Sequence, residues 1–212
     1  LYLIYMKKIL LVIPSIKFWW WAEWAIIELA NKLMDEWFDV TLMTFYDFPG
    51  DEYVFTGNRI SLHEWVSQGN FSRLLKLFFR AWKIHVYTKN TSISTIISFM
   101  EDANFPLLLS KSLFRLKQKC IISIRHSLSD YVGSIYEKWI RLFYPSADMI
   151  VVLTAHEKEY LHKNYLIDFR KITIIHNSID RERAHMRASE ILPWMIKHDT
   201  TFVFVTIGRL TG

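Results

Sequence analysis

The chain has 212 residues, a net charge of +5 at pH 7, 51% hydrophobic residues and 16% aromatic residues. These values exclude a disordered, collagen-like or coiled-coil protein and indicate a globular chain with a substantial core. It contains 6 glycines and 9 tryptophans, whereas average usage of about 7% glycine would give roughly fifteen. At roughly 100 to 200 residues per domain, the length allows one large domain, or one domain and the beginning of a second.

Cysteine content and hydropathy indicate the cellular compartment of the protein. The single cysteine, Cys120, cannot form an intrachain disulfide, so a reducing compartment is expected. The apolar run Ile9 to Ile13 follows two lysines as in a signal peptide, but Pro14 and Lys17 cut it short. No stretch reaches the roughly 18 uncharged apolar residues of a membrane span. We therefore expect a cytoplasmic protein that is soluble or lies at the inner face of the membrane.

Strand-like and helix-like segments alternate along the chain. The apolar and β-branched runs predict strands over Ile9 to Ile13, Val40 to Phe45, Ile60 to Leu62, Thr95 to Phe99, Cys120 to Ile124, Met149 to Leu153 and Ile172 to Ile175. Helical spacing of apolar residues predicts helices over Glu23 to Glu36, Phe71 to Tyr87, Pro106 to Leu116, Tyr131 to Tyr144 and His156 to Tyr165. This alternation predicts an α/β fold, a doubly wound, mostly parallel Rossmann-like sheet with helices on both faces.

The last part of the chain differs from what precedes it. A charged stretch, Arg181 to Glu190, leads to another strand-like run, Phe202 to Ile207, and a glycine-bearing end. We interpret residues 1–180 as one Rossmann-like domain and residues 181–212 as a linker and the first strand of a second, truncated domain.

Ligands of doubly wound sheets bind beyond the carboxyl ends of the strands. Here the loops at those ends are predicted to begin at Ser15, Glu101, Arg125, Thr154 and His176. None carries a phosphate-binding loop, a dinucleotide glycine fingerprint, a nucleophile elbow or a zinc motif. The sequence therefore predicts no metal site and none of the common nucleotide fingerprints.

The loop after the first strand is rich in tryptophan. Trp19, Trp20 and Trp21 precede the first helix, whose amino terminus would suit a phosphate if the backbone were accessible. Two interpretations remain open. In the first, the aromatic cluster contacts a ligand, either by stacking on a sugar or by lying against lipid; in the second, it is a partly buried hydrophobic turn.

Two later loops carry charged and titratable side chains. Arg125 and His126 follow the fifth predicted strand, and Glu101, Asp102 and Asn104 follow the fourth. The carboxylates could act as a base or bind hydroxyl groups, although Asp102 and Asn104 could equally cap the next helix. A lone histidine is more often structural, but the position of His126 makes a functional role about as good an interpretation.

One predicted helix is basic and amphipathic. Arg73, Lys76, Arg80 and Lys83 recur at spacings of three and four residues, which places them on one helical face. Such a helix is typical of contact with a membrane surface or an anionic acceptor, and an ordinary surface helix is the alternative. No recognition motif supports binding to nucleic acid.

With these residues in place, the chain resembles the amino-terminal half of a family 4 (group 1) retaining glycosyltransferase of the GT-B fold. The resemblance rests on short motifs whose order and spacing agree, among them Lys8-Ile-Leu-Leu-Val-Ile-Pro-Ser15, Glu28-Leu-Ala-Asn-Lys-Leu33, Asp39-Val-Thr-Leu42, Ile97-Ser-Phe-Met100, Ile122-Ser-Ile-Arg-His126, Ala147-Asp-Met-Ile-Val-Val152, Lys171-Ile-Thr-Ile-Ile-His-Asn-Ser-Ile-Asp180 and Gly208-Arg-Leu-Thr211.

The resemblance implies a function and a set of site residues. It implies transfer of a sugar from a nucleotide-sugar donor, without a metal or cofactor, to a saccharide or lipid-linked saccharide acceptor, as in cell-surface glycan synthesis. The amino-terminal half would bind the acceptor through Ser15, Trp19, Trp20, Trp21, Glu101, Asn104 and Arg125. His126 would lie near the transferred sugar, and Arg209 would neutralise the donor diphosphate. A chain with only this half is expected to be poorly active alone.

The sequence departs from the family at two glycine positions. The first loop of the family is glycine-rich where Trp19, Trp20 and Trp21 stand, and a glycine ends the first helix where Trp37 stands. We hypothesise that tryptophan has replaced glycine at both places, which predicts a left-handed backbone at Trp37.

Two other functions remain as alternatives. One is a non-catalytic Rossmann-like module that binds an anionic partner or a membrane through the face from Arg73 to Lys83. The other is a sugar-nucleotide epimerase of the same overall fold.

Overall fold

The computed structural model describes residues 6–16, 21–47, 55–64, 70–177 and 185. The chain divides into two units after Asn177, and of the second unit only residue 185 is described. The domain boundary predicted near Asp180 lies outside the described residues and stays a prediction.

The described part of the chain forms seven strands and five α-helices. The strands are β1 (Lys8–Ile13), β2 (Asp39–Thr44), β3 (Asn58–Ser61), β4 (Ile93–Phe99), β5 (Lys119–Ser123), β6 (Met149–Val152) and β7 (Ile172–Ile174). The helices are α1 (Trp21–Asp35), α2 (Asn70–Lys89), α3 (Glu101–Phe114), α4 (Ile135–Phe143) and α5 (Ala155–Tyr165). Each of the seven strands and five helices predicted before Asn177 has a counterpart here, whereas the strand predicted over Phe202 to Ile207 lies outside the described residues.

The seven strands form one parallel sheet in the order β3-β2-β1-β4-β5-β6-β7. From β1 the chain first builds outward to β3, and from β4 it builds outward in the opposite direction to β7. The order therefore reverses between β1 and β4, and the crevice at the carboxyl ends of these strands is where such sheets bind ligands.

Strand β1 shows why the sheet is buried on both faces. Alternate side chains of a strand point to opposite faces. Leu10 and Val12 belong to one core, together with apolar residues of α2, α3, α4 and α5. Ile9, Leu11 and Ile13 belong to a second core with apolar residues of α1. The predicted α/β fold with helices on both faces is confirmed.

Helix α3 begins earlier than the sequence predicts. Prediction placed its first residue at Pro106, whereas the structure begins it at Glu101, with Pro106 inside the helix. Proline has no N–H to donate to the carbonyl four residues back. That carbonyl, on Asp102, instead accepts a hydrogen bond from Nη1 of Arg80 at 3.4 Å. A partner on α2 thus helps the helix to tolerate its proline.

The segment predicted as a helix over Tyr131 to Tyr144 is divided. A 3-10 turn, Leu128–Tyr131, precedes α4, and a second 3-10 turn, Tyr144–Ser146, follows it. Gly133 lies between the first turn and α4 with φ 76°, a conformation that glycine adopts readily and that a continuous helix does not allow. No helix in the described ranges is long and apolar enough to cross a membrane.

Candidate functional site

Met100 connects β4 to α3 at the point where the strand order reverses. Its φ of 72° and ψ of 155° lie in a region that residues with a Cβ rarely occupy. The Met100 N–H donates to the carbonyl of Ser123 at 3.2 Å, and its own carbonyl accepts from the N–H groups of Ala103 and Asn104. These hydrogen bonds hold a strained turn that places Glu101 at the start of α3, beside the end of β5.

Glu101 and His126 are brought into contact by this turn. Nε2 of His126 lies 3.2 Å from Oε2 of Glu101, and the Glu101 side chain is only 3% exposed. The other carboxyl oxygen, Oε1, accepts a hydrogen bond from the hydroxyl of Tyr144 at 3.2 Å. The sequence singled out Glu101 and His126 separately, but their pairing and the contribution of Tyr144 depend on tertiary packing.

Burial sets the protonation of both groups. It raises the pKa of Glu101 to about 8, an effect that the hydrogen bonds to the carboxyl group oppose only in part. It lowers the pKa of His126, although the nearby charges of Asp130 and Glu157 act in the opposite direction. At pH 7 both groups are therefore mainly neutral.

Glu101 and Asn104 lie in a helix, whereas the sequence predicts a loop there. Both belong to the first turns of α3 and not to a loop. Asn104 is fully buried, accepts a hydrogen bond from Ser98 and donates one to the carbonyl of Ser123. Its amide joins β4, β5 and α3, and substrate binding by Asn104 stays a prediction. Glu101 is also buried and touches His126, and substrate binding by Glu101 stays a prediction.

Arg125 lies at the carboxyl end of β5, half-buried. Its guanidinium lies over the ring of Phe99, 4.5 Å from the ring centroid, and Nη1 donates to Oδ1 of Asn177 at 2.9 Å. Burial lowers the pKa of Arg125 to about 10, so the side chain remains charged at pH 7. Its role in substrate binding stays a prediction.

Ser15 lies at the carboxyl end of β1, the other side of the reversal point. Its hydroxyl donates to Oε1 of Glu23 at 3.4 Å, and Glu23 is buried in the first turns of α1. Ser15 is therefore oriented by the helix that follows it, and substrate binding by Ser15 stays a prediction.

A pocket of about 210 Å³ opens between α2, α3, α4 and the end of β2. Its lining combines aromatic rings, cations and one carboxylate: Tyr46, Arg73, Lys76, Leu77, Arg80, Asp102, Phe105, Pro106, Tyr136 and Trp139. The ring of Tyr136 stacks on Tyr131 with centroids 5.0 Å apart. Tyr131 in turn meets His126 edge to face at 5.1 Å. The pocket and His126 are thus separated by two aromatic rings.

Sequence reasoning missed the aromatic residues of this pocket. Tyr136 and Trp139 lie at helical spacing with Ile140 and Phe143, which is the pattern of an ordinary buried helix face. Tyr46 follows directly after the apolar run of β2. Its position at the carboxyl end of a strand was the one signal that could have identified it.

Arg80 does not lie on an exposed basic face. It is 6% exposed, and its Nε and Nη2 donate to the carboxylate of Glu64 at 2.8 to 3.1 Å. The guanidinium also donates to the hydroxyl of Tyr46 and lies 4.3 Å from the ring centroid of Phe45. This cation is held inside the protein by a bidentate ion pair and also lines the pocket, so contact of Arg80 with a membrane or an acceptor stays a prediction.

The other basic residues of α2 are more accessible. Arg73 is exposed, and Lys76 and Lys83 are partly exposed. Lys76 lies 5.5 Å from the ring centroid of Tyr46, and Lys83 lies 5.4 Å from that of Trp82. Contact of these three residues with a membrane or an acceptor stays a prediction.

Several predicted site residues fall outside the described residues. These are Trp19, Trp20 and Arg209, and of Trp21 the structure describes only the backbone, at the first residue of α1. Within the described ranges, no group of three or more histidine, cysteine, aspartate or glutamate side chains could hold a metal ion. The expectation that the reaction needs neither metal nor cofactor stays a prediction.

The parallel sheet with helices on both faces is a Rossmann-like module of the GT-B type. Its candidate site lies where the strand order reverses. Residues 22–183 match the protein family described as Glycosyltransferase Family 4. This chain belongs to that family.

Similar proteins agree with this assignment. The chain is 31% identical over 159 residues to the amylovoran biosynthesis glycosyltransferase AmsD of Erwinia amylovora, a match that covers 74% of the chain and 42% of the relative. It is 28% identical over 150 residues to the N-acetylgalactosamine-N,N'-diacetylbacillosaminyl-diphospho-undecaprenol 4-alpha-N-acetylgalactosaminyltransferase of Campylobacter jejuni, covering 68% of the chain and 40% of the relative. The chain thus spans about two fifths of the length of these two relatives.

A solved structure agrees with the fold. The apo form of the lipopolysaccharide outer core galactosyltransferase WaaB superimposes with a TM-score of 0.65 and 12% sequence identity, over 82% of this chain and 46% of that one. The family and the relatives favour a glycosyltransferase over the two alternatives, a non-catalytic module and an epimerase.

Proposed function

We propose that this chain is the acceptor-binding half of a retaining glycosyltransferase that moves a sugar from a nucleotide-sugar donor to a lipid-linked saccharide. The observation that carries the proposal is the pocket between α2, α3 and α4, which the rings of Tyr136 and Tyr131 separate from His126. Aromatic rings suit the apolar faces of sugars, and the cations of Arg73 and Lys76 suit an acceptor phosphate. The carboxylate of Asp102 can accept hydrogen bonds from sugar hydroxyl groups.

Helix α2 supports a lipid-linked acceptor because it has three different faces. Leu77, Ala81 and Ile84 are buried against the sheet, and Arg73 and Lys76 line the pocket. The remaining face is apolar and yet exposed, with 41% to 57% of each side chain accessible: Leu74, Leu75, Phe78, Phe79 and Trp82. An exposed apolar patch beside a row of cations is typical of a membrane-surface helix.

In the proposed complex, the lipid, the phosphate and the sugar of the acceptor contact different parts of the protein. The apolar face of α2 enters the membrane surface at the inner leaflet, and the phosphate-bearing head group reaches the pocket beside Arg73. The sugar end then points past Tyr136 and Tyr131 toward His126. His126 contributes a polar contact at the reacting sugar, and Arg125 adds a positive charge for the donor or acceptor. The donor itself would be held mainly by a second domain, with Arg209 on its diphosphate.

Sugar transfer by a protein that carries this chain together with a donor-binding domain tests the enzymatic part. A panel of labelled nucleotide sugars is supplied with a polyprenyl-diphosphate saccharide, and the lipid product is measured. We expect transfer from one donor and a roughly 100-fold lower kcat in His126→Ala. The same assay compares the wild-type sequence with a variant in which Trp19, Trp20 and Trp21 are all replaced by glycine. We expect this replacement to raise activity. Absence of transfer from every donor would contradict the proposal.

Sedimentation with anionic phospholipid vesicles tests the membrane part. Replacing Phe78, Phe79 and Trp82 by serine should abolish binding. Neutralising Arg73, Lys76 and Lys83 should weaken it roughly 100-fold at low salt, since each cation near the surface contributes about 1 kcal/mol. Leu142→Ser and Phe169→Ser alter exposed apolar residues elsewhere and serve as matched controls. Equal losses in the controls would contradict a specific role for α2.

A further inference from the structure

In the contact between Glu101 and His126, either the carboxyl group or the imidazole could carry the shared proton. The proposed reaction does not specify which of them does. Oε1 of Glu101 receives the Tyr144 hydroxyl at 3.2 Å, and Oε2 faces Nε2 of His126 at 3.2 Å. Nε2 is itself buried and has no hydrogen-bond partner in the described ranges, so Oε2 of Glu101 is a close neighbour that is not yet aligned with it. The two carboxyl oxygens therefore have different environments, one supplied with a donor and the other facing a ring nitrogen.

The groups around Glu101 determine where its proton lies. Those in the described part of the chain that titrate and act on it are Asp102 on the same helix, Tyr131, Tyr136 and Tyr144 on neighbouring segments, and His126. None of these is a permanent cation that would stabilise a carboxylate. Burial raises the pKa of Glu101 to about 8, so the carboxylic acid retains its proton at pH 7.

Hydrogen-bond chemistry then assigns the proton to one oxygen. Burial raises the pKa of Tyr144 well above its ordinary value, so its hydroxyl stays protonated and donates to Oε1. The acid proton accordingly belongs on Oε2, which lies 3.2 Å from Nε2 of His126, within the range of a hydrogen-bond distance. A neutral imidazole has one acceptor nitrogen and one N–H. If Nε2 accepts, Nδ1 carries the hydrogen.

We propose that Glu101 is a positioning residue that fixes His126 as the Nδ1–H tautomer, so that the ring offers a hydrogen-bond donor to the substrate. The partner of this N–H is an electron-rich oxygen, a sugar hydroxyl or a phosphate oxygen. The identity of that partner rests on the proposed glycosyl transfer, whereas the tautomer does not. The edge of the Tyr131 ring against His126 restrains rotation of the imidazole, and the charges of Asp130 and Glu157 are the others that act on it.

Nitrogen-15 NMR of the chain labelled at histidine tests the tautomer directly. We expect His126 to be the Nδ1–H tautomer at pH 7. As Glu101 loses its proton near pH 8, its carboxylate becomes an acceptor, and the ring should convert to the Nε2–H tautomer. In Glu101→Gln the side chain cannot ionise, so His126 should keep one tautomer from pH 7 to pH 10.

Two controls make the spectra decisive. His126→Asn identifies the His126 signals among those of the eight histidines. His162 is an internal reference, because its Nδ1 lies 2.8 Å from the carbonyl oxygen of Ile167 and must donate to it at every pH. An Nε2–H tautomer of His126 at pH 7, or a conversion near pH 8 that persists in Glu101→Gln, would overturn the proposal.

Activity measurements distinguish a failure of this inference from a failure of the proposed function. In a transfer-competent protein, kcat should fall as pH rises above 8, and Glu101→Gln should remove that fall. If His126 proves to be the Nε2–H tautomer while sugar transfer occurs, the positioning role fails and the proposed function stands. If the tautomer is as expected and no nucleotide sugar is used, the positioning of His126 stands and the proposed function fails.

Discussion

Trp37 ends α1 in the left-handed conformation, with φ 65°. Its N–H donates to the carbonyl of Met34, and the N–H of Phe38 donates to that of Leu33. This pair of hydrogen bonds is the Schellman arrangement, which usually has glycine at the position of Trp37. The positive φ agrees with the hypothesis that tryptophan occupies a glycine position, and the side chain, 76% exposed, has little packing to compensate for the strain.

Trp37→Gly should therefore stabilise the protein. The left-handed conformation costs a residue with a Cβ about 1 kcal/mol, so we expect the free energy of unfolding in urea to rise by about that amount. Trp37→Ala is the matched control, because it removes the exposed ring and keeps the Cβ. An equal gain in both variants would show that the exposed ring and not the backbone is responsible.

The protonation of Glu101 should appear in the pH dependence of stability. Its pKa is raised from 4.5 to about 8 in the folded protein, so the folded state binds more protons than the unfolded state between these values. Stability must then decrease as pH rises through this window, by at most about 1.4 kcal/mol per pH unit. The difference in unfolding free energy between the wild type and Glu101→Gln, measured from pH 5 to pH 9, should show this slope. A difference independent of pH would contradict the buried, neutral carboxyl group.

Part of the site could be read from the sequence, because it depends on position along strands. His126 and Arg125 follow an apolar run, so their place at the carboxyl end of β5 was predictable. The orientation of Glu101 was not, since it depends on the strained backbone of Met100 and on Tyr144, 43 residues away in sequence. Long-range packing of this kind has no local signature in the sequence.

At the level of secondary structure, α2 carries a buried cation, Arg80, and more accessible ones, among them Arg73, Lys76 and Lys83. Helical spacing correctly placed Arg73, Lys76, Arg80 and Lys83 near one another, but spacing does not report which side of the helix meets the sheet. Glu64, which lies outside α2, decides that Arg80 is buried. The same packing leaves a second apolar face, from Leu74 to Trp82, exposed, whereas an ordinary surface helix is polar on the side away from the core.

Replacing Arg80 should test its structural role. Arg80→Met leaves the carboxylate of Glu64 buried without its ion pair, at an expected cost of roughly 3 to 5 kcal/mol in unfolding free energy. Lys83→Met removes a more accessible cation from the same helix and should change stability by less than about 0.5 kcal/mol. Arg80→Met/Glu64→Leu should recover part of the loss, as measured by urea unfolding. A negligible effect of Arg80→Met would contradict the buried ion pair.

The boundaries of α3 show what element-level prediction misses. The spacing of apolar residues predicts a helix only from Pro106 onward. The structure places Pro106 in the second turn, where Arg80 of α2 donates to the carbonyl that proline leaves free. The strands, in contrast, were predictable to within one or two residues, because an apolar run buried on both faces is a local feature of the sequence.

At the level of the whole molecule, the sheet order brings the candidate groups to one edge. Ser15 and Glu101 follow the two strands that flank the reversal point, and His126 follows the next strand. The pocket lies at the same edge, between this centre and the exposed apolar face of α2. We propose that the acceptor follows this order, from the membrane surface to the pocket and then to His126.

Binding of the acceptor by the 212-residue chain itself tests that claim most directly. The chain is titrated into nanodiscs that contain a polyprenyl-diphosphate saccharide, and separately with nucleotide sugars in solution. We predict saturable binding of the lipid-linked saccharide, weakened about tenfold by Arg73→Gln through loss of a charge-assisted hydrogen bond and little changed by Lys83→Gln, which does not line the pocket. Tight binding of a nucleotide sugar, with no preference for nanodiscs that contain the lipid-linked saccharide, would contradict the account.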